Sequence, residues 1–226
     1  MAGWLLWLIT SVIVGNPFLA LVIVLAVFYL GSVQFTGRAW NPLAPLRARR
    51  QIDSLRADIE ANPENAAAHN DLGRILALRR NFDEAIPHLR KAHARSPDSA
   101  DTGFFLGYAL LATGTEPEGL PLIEEALAAK PRLRYGEPYR LTGDVYLGAG
   151  RFEEAQPWFD TFTRLNTDSV EGFYKLARCH AGTGREEEAR RALRDALAAY
   201  RQAPRFIRRT QRLWALKAAW RLRGFR

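Results

Sequence analysis

The chain has 226 residues and a formal net charge of +8 at pH 7, and its single cysteine, Cys179, excludes an intrachain disulfide. Its ordinary glycine, proline and aromatic contents argue against collagen-like and disordered classes. The charge is segregated. Residues 1–50 hold four arginines and no acid, residues 51–200 hold 19 basic and all 24 acidic side chains, and residues 201–226 hold nine basic side chains and no acid. Such blocks predict contact with an anionic partner.

The first predicted element is apolar and carries no charged side chain from residue 3 to residue 35. This is longer than the roughly 20 residues that cross a bilayer. Asn16 favours a helix N-cap and Pro17 favours the first helical position, so we expect a membrane-spanning helix over about 17–35. Residues 3–14 are then predicted to lie at the membrane interface, or to form one longer helix that is kinked at Pro17. A two-span hairpin is the least favoured alternative.

Residues 1–35 are predicted to be a retained membrane anchor, because a signal peptide would need a basic leading region and a small-residue cleavage site. Residues 36–50 are predicted to be a basic juxtamembrane linker. Four arginines follow the span and no Lys or Arg precedes it. The positive-inside rule therefore predicts a single-pass protein of the plasma (inner) membrane with its C-terminal domain in the cytoplasm.

A repeat of about 34 residues follows the anchor. Gly73, Gly107, Gly143 and Ala177 lie 34, 36 and 34 residues apart, and all but Gly143 directly follow a leucine. A small residue at a fixed point of a 34-residue period is typical of helix–turn–helix repeats, because it lets two helices cross closely.

On these residues the chain resembles tetratricopeptide-repeat proteins from about residue 51 to 201, as a membrane-anchored bacterial-type member. The resemblance implies an all-α fold in which an N-terminal transmembrane helix precedes an α-solenoid with a C-terminal capping helix. The implied units are a partial repeat (51–65), four full repeats (66–99, 100–133, 136–169 and 170–203) and a basic capping helix (204–226). Between the second and third repeats Arg134 and Tyr135 are extra, which predicts either a longer turn or a change of superhelix pitch.

In this family the first helix of each repeat lines a concave groove, mostly through its second, fifth, ninth and twelfth positions. The residues at the fifth and ninth positions are Asn70, Arg74, Phe104, Tyr108, Arg140, Asp144, Tyr174 and Arg178. This mixture of aromatic and cationic side chains predicts a protein or peptide partner with acidic and apolar residues. The alternative is an ordinary solvated helix surface. Phe105 and Glu137 replace the Asn and Lys of the family's carboxylate clamp, so that specialised activity is not expected.

The C-terminal helix has Phe206, Leu213 and Trp220 at heptad spacing, with Ile207 and Trp214 beside them. We expect this apolar face to cover the last repeat as a cap. Arginines favour the other side of the helix: Arg205, Arg208, Arg209, Arg212 and Arg223. This basic side suits an anionic membrane surface, with nucleic acid or an acidic protein as less favoured partners.

The sequence contains no phosphate-binding loop, no nucleophile motif and no metal-ligand spacing, so no catalytic, cofactor-binding or metal residues are predicted and an enzyme is not expected. The leading hypothesis is a membrane-anchored scaffold that mediates protein–protein interaction through its groove and contacts lipid through its anchor. The alternative is a membrane-surface electrostatic module that uses the basic C-terminal helix.

Overall fold

The computed structural model describes residues 15–16, 18–24, 27 and 44–224. Most of the predicted span 17–35 and all of the predicted interfacial segment 3–14 lie outside the described residues. Within the described ranges no helix is long and apolar enough to cross a membrane. Residues 18–24 are helical. Asn16 caps this segment as the sequence predicts, because its Oδ1 accepts hydrogen bonds from the backbone N–H of Phe18 (3.0 Å) and of Leu19 (3.2 Å).

Residues 44–224 form ten α-helices and one short 3₁₀ helix, with no strand in that range. The helices are α1 (Ala44–Ala61), α2 (Ala66–Leu78), α3 (Phe82–Arg95), α4 (Ala100–Ala112), α5 (Glu116–Ala129), α6 (Glu137–Gly148), α7 (Phe152–Leu165), α8 (Val170–Gly182), α9 (Glu186–Gln202) and α10 (Arg205–Arg223). The 3₁₀ helix, Leu133–Gly136, lies between α5 and α6.

The helices pack as four antiparallel pairs, α2/α3, α4/α5, α6/α7 and α8/α9, and each pair contacts the next. We refer to these pairs as units 1 to 4. The predicted all-α repeat fold is confirmed. Helix α1 begins at Ala44, so residues 44–50 of the predicted linker 36–50 are helical and continue into the predicted partial repeat; residues 36–43 lie outside the described residues. Helix α1 packs against α2 and its Ile52 is buried, so this helix covers the open side of unit 1.

The first helices of units 1, 2 and 4 begin at side-chain caps. Asn65, Ser99 and Ser169 each accept a hydrogen bond from a backbone N–H in the first turn. Such caps satisfy one of the four N–H groups that a helix leaves without a partner. The first helix of unit 3 has no side-chain cap, and Gly136 precedes it with a left-handed backbone.

The two helices of unit 2 cross closely at a pair of glycines. A Cβ atom on Gly107 would lie 2.5 Å from the carbonyl oxygen of Gly119, and a Cβ on Gly119 would lie 2.6 Å from the carbonyl oxygen of Gly107. No side chain fits at either distance. The backbones of α4 and α5 therefore touch directly, and α4 has eleven buried residues out of thirteen.

Helix α10 packs on α8 and α9, where it closes the end of unit 4. Gln211 fixes it: its Oε1 accepts the backbone N–H of Val170 (2.6 Å), and its Nε2 donates to the carbonyl oxygen of Asp168 (3.2 Å). Trp214 lies against Tyr174, with ring centroids 5.5 Å apart. Small residues at Ala215 and Ala218 are buried beside it.

The predicted docking face of this helix is therefore wrong in part. Ile207 and Trp214 lie on the packed side, but Phe206 and Trp220 are 72% and 79% exposed and Leu213 is also exposed. The physical reason is that close helix packing selects small residues. The side with Ala215 and Ala218 approaches unit 4, and the large heptad residues point to solvent.

Candidate protein-interaction face

The turn between units 2 and 3 holds two strained residues. Arg134 and Tyr135 have φ angles of 48° and 56°, in the left-handed region that side chains other than glycine seldom adopt. Such backbone persists only where its surroundings hold it, and it concentrates at functional sites. Asn166 of unit 3 holds this turn, because its Nδ2 donates to the carbonyl oxygen of Tyr135 at 3.0 Å. The Tyr135 side chain is 90% exposed.

Arg134 connects this turn to the helices on both sides. Its guanidinium lies 3.5 Å from Oδ1 of Asp101 in unit 2 and 2.8 Å from Oε2 of Glu137 in unit 3. It also lies 5.3 Å from the ring centroid of Phe105, which is a cation–π distance. Hydrogen bonding to Glu137 raises the pKa of Arg134 further above its ordinary value. Arg134 therefore connects unit 2 to unit 3, and its guanidinium is held in place by both.

Arg140 continues the connection towards unit 4. Its guanidinium lies 3.5 Å from Glu137, 3.3 Å from Asp144 and 3.8 Å from Glu171. Glu171 belongs to the first helix of unit 4, so one guanidinium contacts carboxylates of two successive first helices. About a quarter of the Arg140 side chain is exposed. Its charge is accessible to a partner, but it is already balanced.

Lys175 ends this connection in a nearly buried position. It is 7% exposed, and its Nζ lies 2.7 Å from Oδ1 of Asp144 and also pairs with Glu171. Its ammonium lies 5.5 Å from the ring centroid of Trp214 on α10. An ammonium of this burial needs carboxylate partners to offset its lost hydration. Lys175 therefore joins unit 3, unit 4 and the C-terminal helix.

Together these residues form an ion-pair row across three units. We use this name for Asp101, Arg134, Glu137, Arg140, Asp144, Glu171 and Lys175. The row has four carboxylates and three cations, so the face is nearly balanced in charge. The prediction of a cationic groove is corrected here, because acids from neighbouring helices neutralise its arginines.

An open pocket of about 530 Å³ lies beside the row. We refer to it as the insert pocket; its lining residues are Arg134, Tyr135, Glu137, Arg140 and Phe162. Two aromatic side chains and two guanidinium groups thus surround one opening. Aromatic residues and arginine are the residue types that contribute most at protein interfaces.

The predicted groove residues fall into two groups. Asn70, Arg74, Arg140, Asp144, Tyr174 and Arg178 are partly exposed on first helices. Asn70 accepts a hydrogen bond from Thr102 at 3.0 Å, and Arg74 pairs with Asp71 at 3.2 Å. Within the described part of the chain, no ion pair joins Arg178 to a carboxylate. These six residues lie on the first helices of units 1, 3 and 4.

The prediction is wrong for Phe104 and Tyr108, which are 0% and 5% exposed. Phe104 stacks on Tyr108 at 6.0 Å, and Tyr108 meets the edge of Phe82 at 5.4 Å. Burial also raises the pKa of the Tyr108 phenol. Helix α4 is apolar on all sides, and such a helix is buried all round, so its fifth and ninth positions do not reach a ligand.

Several residues of the row were not among the predicted site residues. Asp101, Glu137 and Glu171 occupy the second position of units 2, 3 and 4, 36 and 34 residues apart. The recurrence of acidic residues could have identified these positions from the sequence, because the second position also faces the groove in the family. The position of Lys175 carried no such signal.

Other reactive groups lie outside this face. Burial raises the pKa of the Cys179 thiol to about 12, so the thiol is not a nucleophile at neutral pH. In the described ranges no cluster of His, Cys, Asp and Glu could hold a metal ion.

A chain of stacked helix pairs, each contacting the next, defines the class of protein as an α-solenoid. A family profile for the tetratricopeptide repeat matches residues 46–100, 79–133 and 140–204. The chain therefore belongs to the tetratricopeptide-repeat family, whose members mediate protein–protein interaction.

One curated relative is the cytochrome c-type biogenesis protein CycH of Bradyrhizobium diazoefficiens. It is 26% identical over 191 residues, which cover 71% of this chain and 52% of the relative. The chain thus spans about half the length of this relative.

Three solved structures are similar in fold. MamA superposes with a TM-score of 0.57 at 20% identity, covering 67% of this chain and 81% of MamA. YrrB, described as having an unusual peptide-binding site, has a TM-score of 0.54 at 20% identity, covering 78% and 86%. A thermophilic repeat protein of Thermus thermophilus has a TM-score of 0.55 at 22% identity, covering 78% and 92%. At these identities the likeness concerns the fold alone.

Proposed function

We propose that this chain is a scaffold that binds a segment of a partner protein across the first helices of units 2 to 4, centred on the insert pocket. The observation that carries the proposal is Tyr135, which is 90% exposed on a strained turn beside the fixed guanidinium of Arg134. Side chains that are already held in place lose little conformational entropy on binding.

The chemistry of the row defines the partner. Its cations and carboxylates are paired with one another. A purely acidic segment could therefore pair with the cations only by leaving the carboxylates of the row without partners. A segment with both charges can exchange pairs one for one along the row. We therefore expect an apolar or aromatic side chain against Tyr135 and Phe162, flanked by charges of both signs.

The predicted groove residues add one further contact. Arg178 is partly exposed, and no carboxylate pairs with it in the described structure. It lies one helical turn beyond Lys175 on α8. Because no carboxylate of the described structure balances its charge, Arg178 can bind a carboxylate of the partner. An arginine can hold a carboxylate through two hydrogen bonds.

Affinity co-purification with the full chain tests this function. Tyr135→Ala should reduce capture of the partner at least tenfold, as an aromatic interface anchor does on truncation. Tyr135→Phe, which keeps the ring, should retain capture. Leu78→Ala is the matched control, because Leu78 is an exposed apolar side chain of unit 1 that lies outside the row. Full capture by the Tyr135→Ala chain, with its helical circular dichroism unchanged, contradicts the proposal.

We further propose that residues 17–35 anchor this scaffold in the plasma (inner) membrane with the repeat domain on the cytoplasmic side. Its support is the uncharged run up to Phe35 and the arginines that follow it. Protease added to sealed inside-out vesicles should then digest the repeat domain, whereas protease outside intact cells should leave it whole. The reverse pattern would overturn the orientation.

The similarity to CycH supports c-type cytochrome biogenesis as the process that this scaffold serves. Deleting the gene should then lower covalently bound haem in the membrane fraction, and the full chain should restore it. Unchanged haem staining would exclude a role in c-type cytochrome biogenesis but would not contradict the protein-binding role.

A further inference from the structure

Helix α10 has two apolar sides, and only one of them is packed. The inner side docks on unit 4 through Trp214, Ala215 and Ala218. The outer side has four large exposed apolar side chains, which we refer to as the outer stripe: Phe206, Leu213, Leu216 and Trp220. At 3.6 residues per turn these four lie within an arc of roughly 80° on the side opposite the buried Ala215 and Ala218. A cap needs one apolar side, so the second side requires another explanation.

Basic residues surround the outer stripe. Arg205, Arg209 and Arg223 are exposed, whereas Arg208 and Arg212 are partly buried. From residue 205 to residue 223 the helix has six arginines, one lysine and no carboxylate. An apolar stripe with Trp and Phe, bordered by arginines and free of acids, is the composition of a helix that lies in a membrane interface.

Other occupants fit this composition less well. A second copy of the chain would bring the basic borders of two α10 helices together, and like charges at close range oppose that contact. The apolar N-terminal segment has no charge up to Phe35, so it offers no anionic group to Arg205, Arg209 and Arg223. Nucleic acid would pair with the arginines but would leave the leucines exposed.

We propose that the outer stripe inserts into the headgroup region of an anionic phospholipid membrane, with Arg205, Arg209 and Arg223 paired with lipid phosphates. The apolar side chains enter the acyl boundary, and the arginines hold phosphates at its edge. Because Gln211 and Trp214 fix α10 to unit 4, this contact orients the whole solenoid relative to the membrane.

A fluorescent label at the stripe tests this contact separately from any N-terminal anchoring. Cys179 is fully buried, so an introduced cysteine is labelled selectively in the folded full chain. Leu216→Cys is labelled with an environment-sensitive dye and mixed with phosphatidylcholine vesicles, with or without phosphatidylserine. Leu78→Cys, at an exposed apolar position of unit 1, is the matched control. We expect a blue shift at position 216 with phosphatidylserine only, and none at position 78.

The charge dependence completes the test. Arg209→Gln combined with Arg223→Gln should weaken the response at position 216, by roughly fivefold per arginine, and high salt should do the same. The proposal is overturned by any of three results: no blue shift with anionic vesicles, a blue shift that depends on protein concentration without lipid, or a shift with single-stranded DNA in place of lipid.

Discussion

The Nζ atom of Lys175 lies 2.7 Å from Oδ1 of Asp144, which belongs to the first helix of the preceding unit. The same ammonium pairs with Glu171 and lies beneath the ring of Trp214. One nearly buried cation therefore holds three successive elements of the solenoid together.

Replacing Lys175 with Met should lower the free energy of unfolding by about 2–3 kcal/mol, because Asp144 and Glu171 then lose their closest cation and keep only the longer ion pairs with Arg140. Urea unfolding followed by circular dichroism measures the change. Arg95→Met is the control, because Arg95 pairs with Glu64 through mostly exposed side chains and should change stability by less than about 0.5 kcal/mol. Equal effects of the two substitutions would contradict a structural role for the buried pair.

Two glycines on α4, four residues apart, should respond oppositely to alanine. A Cβ on Gly107 would lie 2.5 Å from a backbone oxygen, whereas the nearest atom to a Cβ on Gly103 is 3.8 Å away. Gly107→Ala should destabilise by about 2 kcal/mol through overpacking. Gly103→Ala should stabilise by about 0.5–1 kcal/mol, because alanine favours the helix interior. Thermal unfolding of both variants compares them directly.

Alanine at Gly119 should also destabilise the protein, although the other units have alanine there. The corresponding residues of units 1, 3 and 4 are Ala85, Ala155 and Ala189, yet a Cβ on Gly119 would lie 2.6 Å from the carbonyl oxygen of Gly107. Gly119→Ala should therefore destabilise as Gly107→Ala does. A stabilised Gly119→Ala protein would show that α4 and α5 separate more readily than the structure indicates.

The two tryptophans of α10 distinguish its packed side from its outer side. Trp214 contacts Tyr174, and Trp220 is largely exposed. Trp214→Ala should lower the free energy of unfolding by about 2 kcal/mol, less than a fully buried tryptophan would cost. Trp220→Ala should change it by less than about 0.5 kcal/mol. Denaturant unfolding without lipid decides between them, and the reverse order would restore the predicted heptad face as the docking face.

A pair of histidines should make unit 1 sensitive to acid. Nδ1 of His69 lies 2.8 Å from Nδ1 of His88, and Nε2 of His69 lies 3.0 Å from the carbonyl oxygen of Pro63. Because the carbonyl oxygen of Pro63 can only accept, Nε2 of His69 donates to it, and Nδ1 of neutral His69 accepts the hydrogen bond that Nδ1–H of His88 donates. Burial, and secondarily the neighbouring His69, lowers the pKa of His88 below 6.5, while Glu84 opposes the shift.

The unfolded chain therefore binds a proton at higher pH than the folded chain does. Stability that is present above pH 6.5 should be lost as the pH falls below that value. His88→Asn removes the titrating ring and keeps a donor for His69, so it should make the pH dependence of unfolding shallower. Some dependence should remain, because burial also lowers the pKa of His180. An unchanged profile in the His88→Asn protein would exclude this pair as the source.

The repeat fold could be predicted from the sequence because its strongest constraint is local. A small residue where two helices cross recurs at Gly73, Gly107 and Gly143. A pair of helices of this length has few other ways to pack together. The accessible face was harder to predict. A fixed-position rule assumes that the fifth and ninth positions of every first helix are solvated, but in α4 both are buried, so Phe104 and Tyr108 were misplaced.

The remaining differences also have physical causes. The partners of Arg140 come from two helices, including Glu171 of the next unit, so a list of positions within single repeats does not contain the pairing. On α10 the heptad of large residues was the conspicuous pattern. The helix instead packs on unit 4 through Ala215 and Ala218, because small side chains let two helices approach closely.

The turn at Arg134 and Tyr135 divides the solenoid into two halves of two units each. Units 1 and 2 precede it and units 3 and 4 follow it, and the halves also meet where α4 contacts α6 and where Arg151 pairs with Glu116. Changing this turn alone would alter how the halves meet while leaving every helix pair intact. Binding specificity can therefore diverge at one short segment without endangering the fold of either half.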